Sequence, residues 1–256
     1  MSEFLKTHKD DHLLHVILHR GKSNAMHLEM IQELKTTFSE AENDPAIEGV
    51  VITGHEGFFT SGLDLITLYG YDAQQMETFW YEFYDLLYKL TAFSKPFVAA
   101  ISGHSPAGGC VLAIAADARV MAEGDYIIGL NEVPVGIIVP HGIFDLYSFW
   151  IGEAQAYRFL LEGKLLSPQE ALQVGLVDEV VALDKIQRSA IRYIKQYTQL
   201  EKNAWRRTKL NLRTRVLQSM LANKEETIAE MLTQWWKPST RAVLKTIIEN
   251  LTAKKR

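Results

Sequence analysis

Cysteine is nearly absent from this chain of 256 residues, in which Cys110 is the only example. A single cysteine excludes an internal disulfide and a cysteine-rich metal site. Because Cys110 lies in an apolar stretch, we expect it to pack inside the protein. The histidines do not form an alternative ligand set, since the spacing of His55, His104 and His141 does not fit one. We therefore expect no metal site.

Long hydrophobic runs are also missing, which excludes a membrane-spanning segment. The first residues, Met1-Ser2-Glu3-Phe4, resemble neither a secretion signal nor an arginine-rich transit peptide. The last residues, Ala253-Lys254-Lys255-Arg256, do not resemble a peroxisomal address. The simplest expectation is a cytoplasmic bacterial protein without a membrane partner.

Charge is distributed unevenly, although the net charge is only −4. Residues 201–256 carry 13 Lys and Arg against 5 Asp and Glu, whereas residues 1–200 carry 14 against 26. A basic C-terminal part can bind a phosphorylated ligand, an acidic subunit or nucleic acid, or simply form solvated helix faces. Because the chain is acidic overall and has no nucleic-acid motif, we do not expect nucleic acid as a partner.

Hydrophobic periodicity predicts an α/β fold, with strands and helices alternating over the first two thirds of the chain. The apolar strand 49–53 is typical of a buried, largely parallel sheet. From the charge shift and the helical pattern we predict a core over 1–200 and a helical module over 201–256. Predicted strands are 13–18, 49–53, 96–102, 119–122 and 126–129; predicted helices are 28–43, 74–92, 107–118, 168–173, 183–200, 204–223, 225–236 and 240–253.

Two small-residue turns follow predicted strands. The downstream turn, residues 104–109, leads into helix 107–118, and the upstream turn, residues 57–65, follows strand 49–53. Free N–H groups at such turns, supported by a helix dipole, can bind a negatively charged oxygen such as a phosphate or an enolate. Glycines there also allow close packing of a helix on a sheet, so both interpretations stay open. Asp64 is better explained as a helix N-cap than as a catalytic group.

One carboxylate, Glu132, lies among apolar neighbours in Ile128-Gly129-Leu130-Asn131-Glu132-Val133-Pro134. Apolar surroundings should raise its pKa, which suits general acid–base catalysis. A loop glutamate that simply faces water fits the same residues equally well. Ser61 and Ser105 lack the glycine context of a nucleophile elbow, so a serine nucleophile is not expected.

Several segments together resemble the crotonase superfamily of enoyl-CoA hydratases and isomerases. They are Phe59-Thr60-Ser61-Gly62-Leu63-Asp64-Leu65, Lys95 to Gly103, Pro106 to Cys110, and Ser167 to Val181. The resemblance extends from Val16 to about Leu251. It implies a ββα spiral core and a C-terminal helical module that takes part in trimerisation. It further implies an acyl-CoA substrate, no separate cofactor, and a homotrimer or a hexamer.

The resemblance assigns roles to individual residues of the site. It implies that the backbone N–H groups of Leu63 and Gly108 hold the thioester oxygen, flanked by Gly62, Asp64 and Gly109. It implies that a loop beginning at Arg20 binds coenzyme A through Lys22, Ser23 and Ala25. It also implies that Lys209 reaches a phosphate. The alternative for Lys22 and Lys209 is that they are ordinary solvent-exposed surface residues. Candidates for the apolar acyl pocket are Leu65, Leu68, Leu112 and Val135.

The position of the second catalytic glutamate separates the possible activities. In hydratases of the family two glutamates act; one falls here on Glu132 and the other on Val111. The single glutamate resembles the mitochondrial-type Δ3,Δ2-enoyl-CoA isomerases, which implies double-bond transfer from a 3-enoyl-CoA to a 2-trans-enoyl-CoA in unsaturated fatty acid β-oxidation. Two alternatives stay open: a hydratase or lyase that recruits another acid, and a non-catalytic CoA- or RNA-binding protein.

Overall fold

The computed structural model describes residues 3–253. Met1, Ser2 and residues 254–256 lie outside it, so the terminal residues used for the targeting prediction are only partly covered. Within the described residues, no helix is long and apolar enough to cross a membrane.

Two sheets form the framework of the chain. The larger has the order β1 (Leu5–Asp10), β2 (Leu13–Leu18), β3 (Gly49–Thr53), β5 (Phe97–Ile101), β7 (Ala118–Ala122) and β9 (Glu179–Val181). Only the β1–β2 pair in it is antiparallel. The smaller sheet is parallel and consists of β4 (Gly57–Phe58), β6 (Gly103–Pro106) and β8 (Ile128–Gly129).

The chain winds through these sheets in three ββα units. Each unit places its first strand in the larger sheet and its second in the smaller sheet: β3 and β4, β5 and β6, then β7 and β8. The helices that close the units are α3 (Ala73–Ala92), α4 (Gly108–Ile114) and α5 (His141–Ile151). This is the ββα spiral that the resemblance implies, and the α/β fold class is confirmed.

The remaining helices are α1 (Leu28–Asn43), α2 (Leu65–Tyr69), α6 (Glu153–Glu162), α7 (Pro168–Gln173), α8 (Ile186–Thr198), α9 (Lys202–Leu221), α10 (Lys224–Trp235) and α11 (Pro238–Ala253). Of these, α8 packs against β3, β5 and β7, α1 against β1 and α7 against β9, and the last described helix ends at Ala253. Side chains alternate between the faces along β3: Val50 and Ile52 join the larger core, and Val51 packs in a smaller core with α8.

The C-terminal helices share the larger core with the rest of the chain. Buried Val216 and Met220 of α9, Met231 and Trp235 of α10, and Leu244 of α11 all belong to it. Cys110 is buried, as expected. The division near residue 200 stays a prediction, and the 201–253 helices pack against the preceding residues throughout.

Several predicted elements differ from the structure. The helix predicted over 107–118 ends at Ile114, because Ala118 already pairs with Val98 in the sheet and Asp117 accepts the N–H of Phe97. The strand predicted over 126–129 is only Ile128–Gly129. The helix predicted over 183–200 is a 3₁₀ turn at Leu183–Lys185 followed by α8. Periodicity did not predict β1, β4, β6, β9, α2, α5 or α6.

Candidate active site

The upstream turn leaves one backbone N–H without a protein partner. Met26 forms a parallel bridge with this turn, in which its N–H donates to Gly62 O (2.8 Å) and its carbonyl accepts from Asp64 N (2.8 Å). In this pattern the residue between them, Leu63, directs its own N–H away from Met26. Within residues 3–253 the Leu63 N–H donates to no protein group, and Leu63 lines a cleft. The Leu63 amide is therefore free to bind a ligand.

Asp64 has the structural role that the sequence favoured. Its side chain accepts from Thr67 N (3.1 Å) at the start of α2 and from Thr67 Oγ1 (2.7 Å). It also forms an ion pair with Arg20 (2.6 Å), whose guanidinium donates to the carbonyl of Ala25. Burial raises the pKa of Asp64, but the hydrogen bonds from Thr67 and the Arg20 charge outweigh it, so the pKa is lowered. Asp64 is thus an ionised helix cap.

The downstream turn provides a second free N–H at the start of α4. Ala107 has a positive φ of 50° with ψ of −122°, which an alanine adopts only under constraint. Its N–H donates to Gly129 O (2.8 Å), and its carbonyl accepts from Val111 N (3.0 Å). The N–H of Gly108 has no protein partner among the described residues, as expected for the first turn of a helix.

The two turns touch each other. A Cβ on Gly62 would lie 3.1 Å from Gly108 N, and a Cβ on Gly108 would lie 3.4 Å from Gly62 Cα and 3.3 Å from a methyl of Leu63. Gly62 also has a φ of +87°, a conformation that other residues rarely adopt. Both free amides line the same cleft of about 790 Å³. Two backbone N–H groups without protein partners therefore lie on adjacent turns of one cleft.

Glu132 lies in the same cleft, in the loop after β8, directly before a 3₁₀ turn at Val133–Val135. Its Oε2 is enclosed and has no hydrogen-bond partner among the described residues. Burial raises its pKa to about 7, from an ordinary value of 4.5. The interpretation of Glu132 as a solvated loop residue is therefore wrong. The site contains a carboxyl group that can both accept and release a proton near neutral pH.

The loop that carries Glu132 is fixed by its own backbone and by the C-terminal helices. The Glu132 carbonyl accepts from Val135 N (3.1 Å) and Ile137 N (2.9 Å). Further along, the carbonyl of Gly136 accepts from Gln234 Nε2 (3.3 Å) and Thr240 Oγ1 (3.4 Å). Sequence reasoning missed these supports, since nothing in the local pattern around 234–240 indicates a contact with residue 136.

The residues expected near coenzyme A lie in two different places. Lys22, Ser23 and Ala25 line the cleft, and Lys22 is exposed. The structure contradicts the prediction that Lys209 reaches a phosphate of coenzyme A. It is buried, pairs with Asp117 (2.7 Å) and donates to Lys95 O (3.0 Å), outside the cleft. Burial lowers its pKa to about 8 despite the Asp117 charge. Lys209 therefore joins α9 to the sheet.

The predicted acyl-pocket residues also divide. Leu65 and Val135 line the cleft, as does Val111. Leu68 and Leu112 are fully buried in the core and do not line the cleft. Gly62 and Gly109, which were expected to flank the two donors, do not line the cleft either; they lie where the two turns pack closely. The apolar wall includes residues from α3, α5, α10 and α11 that the sequence analysis did not assign to the site: Trp80, Phe83, Ile143, Met231 and Ile247.

Comparison with known proteins identifies the family of this chain. The model of the enoyl-CoA hydratase/isomerase family matches residues 8–250. The chain belongs to the enoyl-CoA hydratase/isomerase family. Among its members, the mouse protein "Enoyl-CoA delta isomerase 1, mitochondrial" is 36% identical over 91% of this chain and 81% of its own length. A "Probable enoyl-CoA hydratase" of Bacillus subtilis is 28% identical over 71% of this chain and 72% of its own.

A solved member of the family shares the whole fold. The crystal structure of the human mitochondrial Δ3-Δ2-enoyl-CoA isomerase superposes with a TM-score of 0.96 at 30% identity. The match covers 99% of this chain and 100% of that one. The similarity to this enoyl-CoA hydratase/isomerase family member therefore includes the C-terminal helices that support the Glu132 loop. The cytoplasmic location remains a prediction, since the mouse and human relatives are described as mitochondrial.

Proposed function

We propose that the protein is an enoyl-CoA isomerase, which converts a 3-enoyl-CoA into the 2-trans-enoyl-CoA during unsaturated fatty acid β-oxidation. The observation that carries the proposal is the half-buried carboxyl group of Glu132, whose Oε2 is enclosed and unpaired, in the same cleft as two free backbone N–H groups. The similarity to two mitochondrial isomerases supports it.

The proposed reaction uses Glu132 twice. Its carboxylate removes a proton from C2 of the substrate, and the electron pair of that C–H bond spreads over the acyl chain onto the thioester oxygen. The amides of Leu63 and Gly108 bind the oxygen of this dienolate. The protonated Glu132 then returns the proton to C4, and the double bond moves to C2–C3. The amides are needed because a thioester α-proton is too weakly acidic for an unaided carboxylate.

Hydration lacks the groups it requires in this cleft. Val111 stands where family hydratases have a glutamate, and a valine side chain neither ionises nor holds a water molecule. Among the described residues that line the cleft, the carboxylates are Glu132 and Asp64. Asp64 is paired with Arg20 and bonded to Thr67, so it is not free to act as a second acid. This favours the isomerase over a hydratase.

Assays with two substrates test the proposed function. We expect 3-hexenoyl-CoA to be isomerised and crotonyl-CoA to be hydrated at least 100-fold more slowly, a ratio that reflects roughly the rate contribution of one general acid–base group. The measurement is kcat/KM for each substrate, followed by the change in enoyl-thioester absorbance. Hydration as fast as isomerisation would contradict the proposal.

The pH dependence of the reaction should show the titration of Glu132. The base must be ionised to accept a proton, and its pKa is about 7. We therefore expect kcat/KM for 3-hexenoyl-CoA to rise about tenfold per pH unit below pH 7 and to level off above it. A profile that is flat between pH 5 and 7 would show that this carboxyl is not the base.

We further propose that coenzyme A binds along Lys22, Ser23 and Ala25, and that the chains assemble as a homotrimer or hexamer. Exposed apolar side chains support the proposed assembly, because contact between subunits would remove their hydrophobic surface from water. They are Phe149, Tyr157, Leu161, Leu200 and Leu212. Sedimentation should give three or six times the 29.1 kDa of one chain. A monomer at micromolar concentration would contradict this part of the proposal.

A further inference from the structure

Thr60 belongs to the upstream turn of the candidate site and lies beside the start of α4. It is fully buried and does not line the cleft, so it is not a group that touches a substrate. It follows the core residue Phe59 and precedes Gly62 by two residues. Its position gives it contacts with three segments: the loop at residues 20–26, the upstream turn and α4.

On the upstream side, the hydroxyl of Thr60 holds two backbone groups. It donates to the carbonyl of Asn24 (2.7 Å) and accepts from Gly62 N (3.1 Å). Asn24 is itself fixed, because its Nδ2 donates to Phe59 O (3.0 Å) and its Oδ1 accepts from Arg20 N (2.9 Å). Gly62 is the residue directly before the Leu63 donor. The hydroxyl thus determines where the peptide that leads into Leu63 lies.

On the downstream side, Thr60 packs directly against the start of α4. A Cβ on Gly109 would lie 2.8 Å from the Thr60 carbonyl oxygen and 3.1 Å from its Cγ2 methyl. Gly109 is the residue after the Gly108 donor. Since the same side chain contacts the neighbours of both donors, its conformation links the positions of the Leu63 and Gly108 amides.

We propose that Thr60 is a positioning residue, whose hydroxyl fixes the Leu63 amide relative to the Gly108 amide. The proposal rests on the proposed function, in which these amides bind the thioester oxygen. A shift of the Leu63 amide weakens its hydrogen bond most when the oxygen carries charge, that is, in the transition state rather than in bound substrate. The loss of the hydroxyl should therefore lower kcat and leave KM nearly unchanged.

Three variants separate this role from a general loss of stability. Thr60→Val keeps the shape and removes the hydroxyl, whereas Thr60→Ser keeps the hydroxyl. The control is Thr53→Val in β3, which removes another buried threonine hydroxyl, the one that donates to Ala100 O (2.8 Å) away from the cleft. If Thr60→Val does not fold, Thr60→Ala takes its place, because alanine removes the hydroxyl without putting a methyl group beside the Asn24 carbonyl.

We expect Thr60→Val to lower kcat with 3-hexenoyl-CoA by about tenfold or more, part of the loss seen when an entire oxyanion donor is removed. Thr60→Ser should stay within threefold of the parent, and Thr53→Val should match it. The second readout is a conjugated arylacrylyl-CoA, whose absorption moves to longer wavelength when its carbonyl is polarised. The shift should be smaller in Thr60→Val than in Thr60→Ser or the parent.

Two outcomes would overturn the proposal. One is that Thr60→Val retains the kcat and spectral shift of the Thr53→Val control. The other is that Thr60→Ser is as impaired as Thr60→Val, so that the hydroxyl is not the relevant group. The spectral readout needs only thioester binding. If the parent protein polarises the chromophore but does not isomerise 3-hexenoyl-CoA, the proposed function fails and the role of Thr60 is still measured.

Discussion

Replacement of Glu132 by Gln is expected to lower kcat for 3-hexenoyl-CoA by about 10² to 10⁴-fold, the range typical of a lost general acid–base group. A glutamine of nearly the same shape cannot accept the C2 proton or return one to C4. KM should change little, because in the proposed complex other residues of the cleft bind coenzyme A and the acyl chain. Steady-state kinetics at pH 8, where the parent carboxyl is ionised, measures the effect.

Stability measurements on the same variant separate catalysis from folding. Burial raises the pKa of Glu132, so the ionised carboxyl is held in the cleft at a cost in folding free energy at pH 8. Glu132→Gln removes that charge and should keep or raise Tm. Glu123→Gln, an exposed change in the preceding loop, is the matched control and should leave kcat unchanged. Full activity in Glu132→Gln would favour a non-catalytic protein or a different base.

Replacement of Gly62 by Ala is the second change for which we expect a large loss. The new methyl would lie 3.1 Å from Gly108 N, 3.1 Å from Pro106 O and 3.2 Å from Ala107 Cβ. It would therefore push the two turns apart and separate the Leu63 and Gly108 donors. We expect kcat to fall by about 10² to 10³-fold, as when one oxyanion donor is lost. The measurement is kcat at saturating 3-hexenoyl-CoA.

Gly57 provides a matched control for the backbone part of this effect. Gly62 has a φ of +87° and Gly57 a φ of +88°, but a Cβ on Gly57 would meet nothing within 4 Å. Gly57→Ala therefore introduces the same unfavourable φ without crowding. Both variants should lose stability, by about 1 kcal/mol or more for the strained alanine, and only Gly62→Ala should lose kcat. Equal kcat values in the two variants would show that the contact between the turns is not important.

Elements with strong local signals could be predicted to the residue. The bounds of β2, α1, β3 and α7 agree with the prediction, because their apolar periodicity is regular and α7 begins with a capping box between Ser167 and Glu170. The strands β4, β6 and β8 have two to four residues each. Periodicity missed β4 and β6 and made β8 two residues too long, because it is the pairing of these short strands with one another that defines them.

The candidate site could be predicted only in part, because it too depends on contacts between residues that are distant in the chain. Leu63, Gly108 and Glu132 were identified from small-residue turns, from an isolated carboxylate and from the family resemblance, and the structure brings them into one cleft. Their catalytic roles stay proposals. Lys209 was misassigned because a lysine on a basic helix gives no sign that Asp117, far away in the chain, will pair with it inside the protein.

The sequence by itself determined the α/β class and the family, because both depend on the order and spacing of segments along the chain. It also determined the two turns and the presence of one carboxylate among apolar residues, because these depend on immediate neighbours. Only the tertiary structure decided that the Leu63 and Gly108 amides meet and that Gln234 and Thr240 support the Glu132 loop. It also decided that α3, α5, α10 and α11 form the cleft wall. These contacts join residues distant in the chain, and local patterns carry no information about such distances.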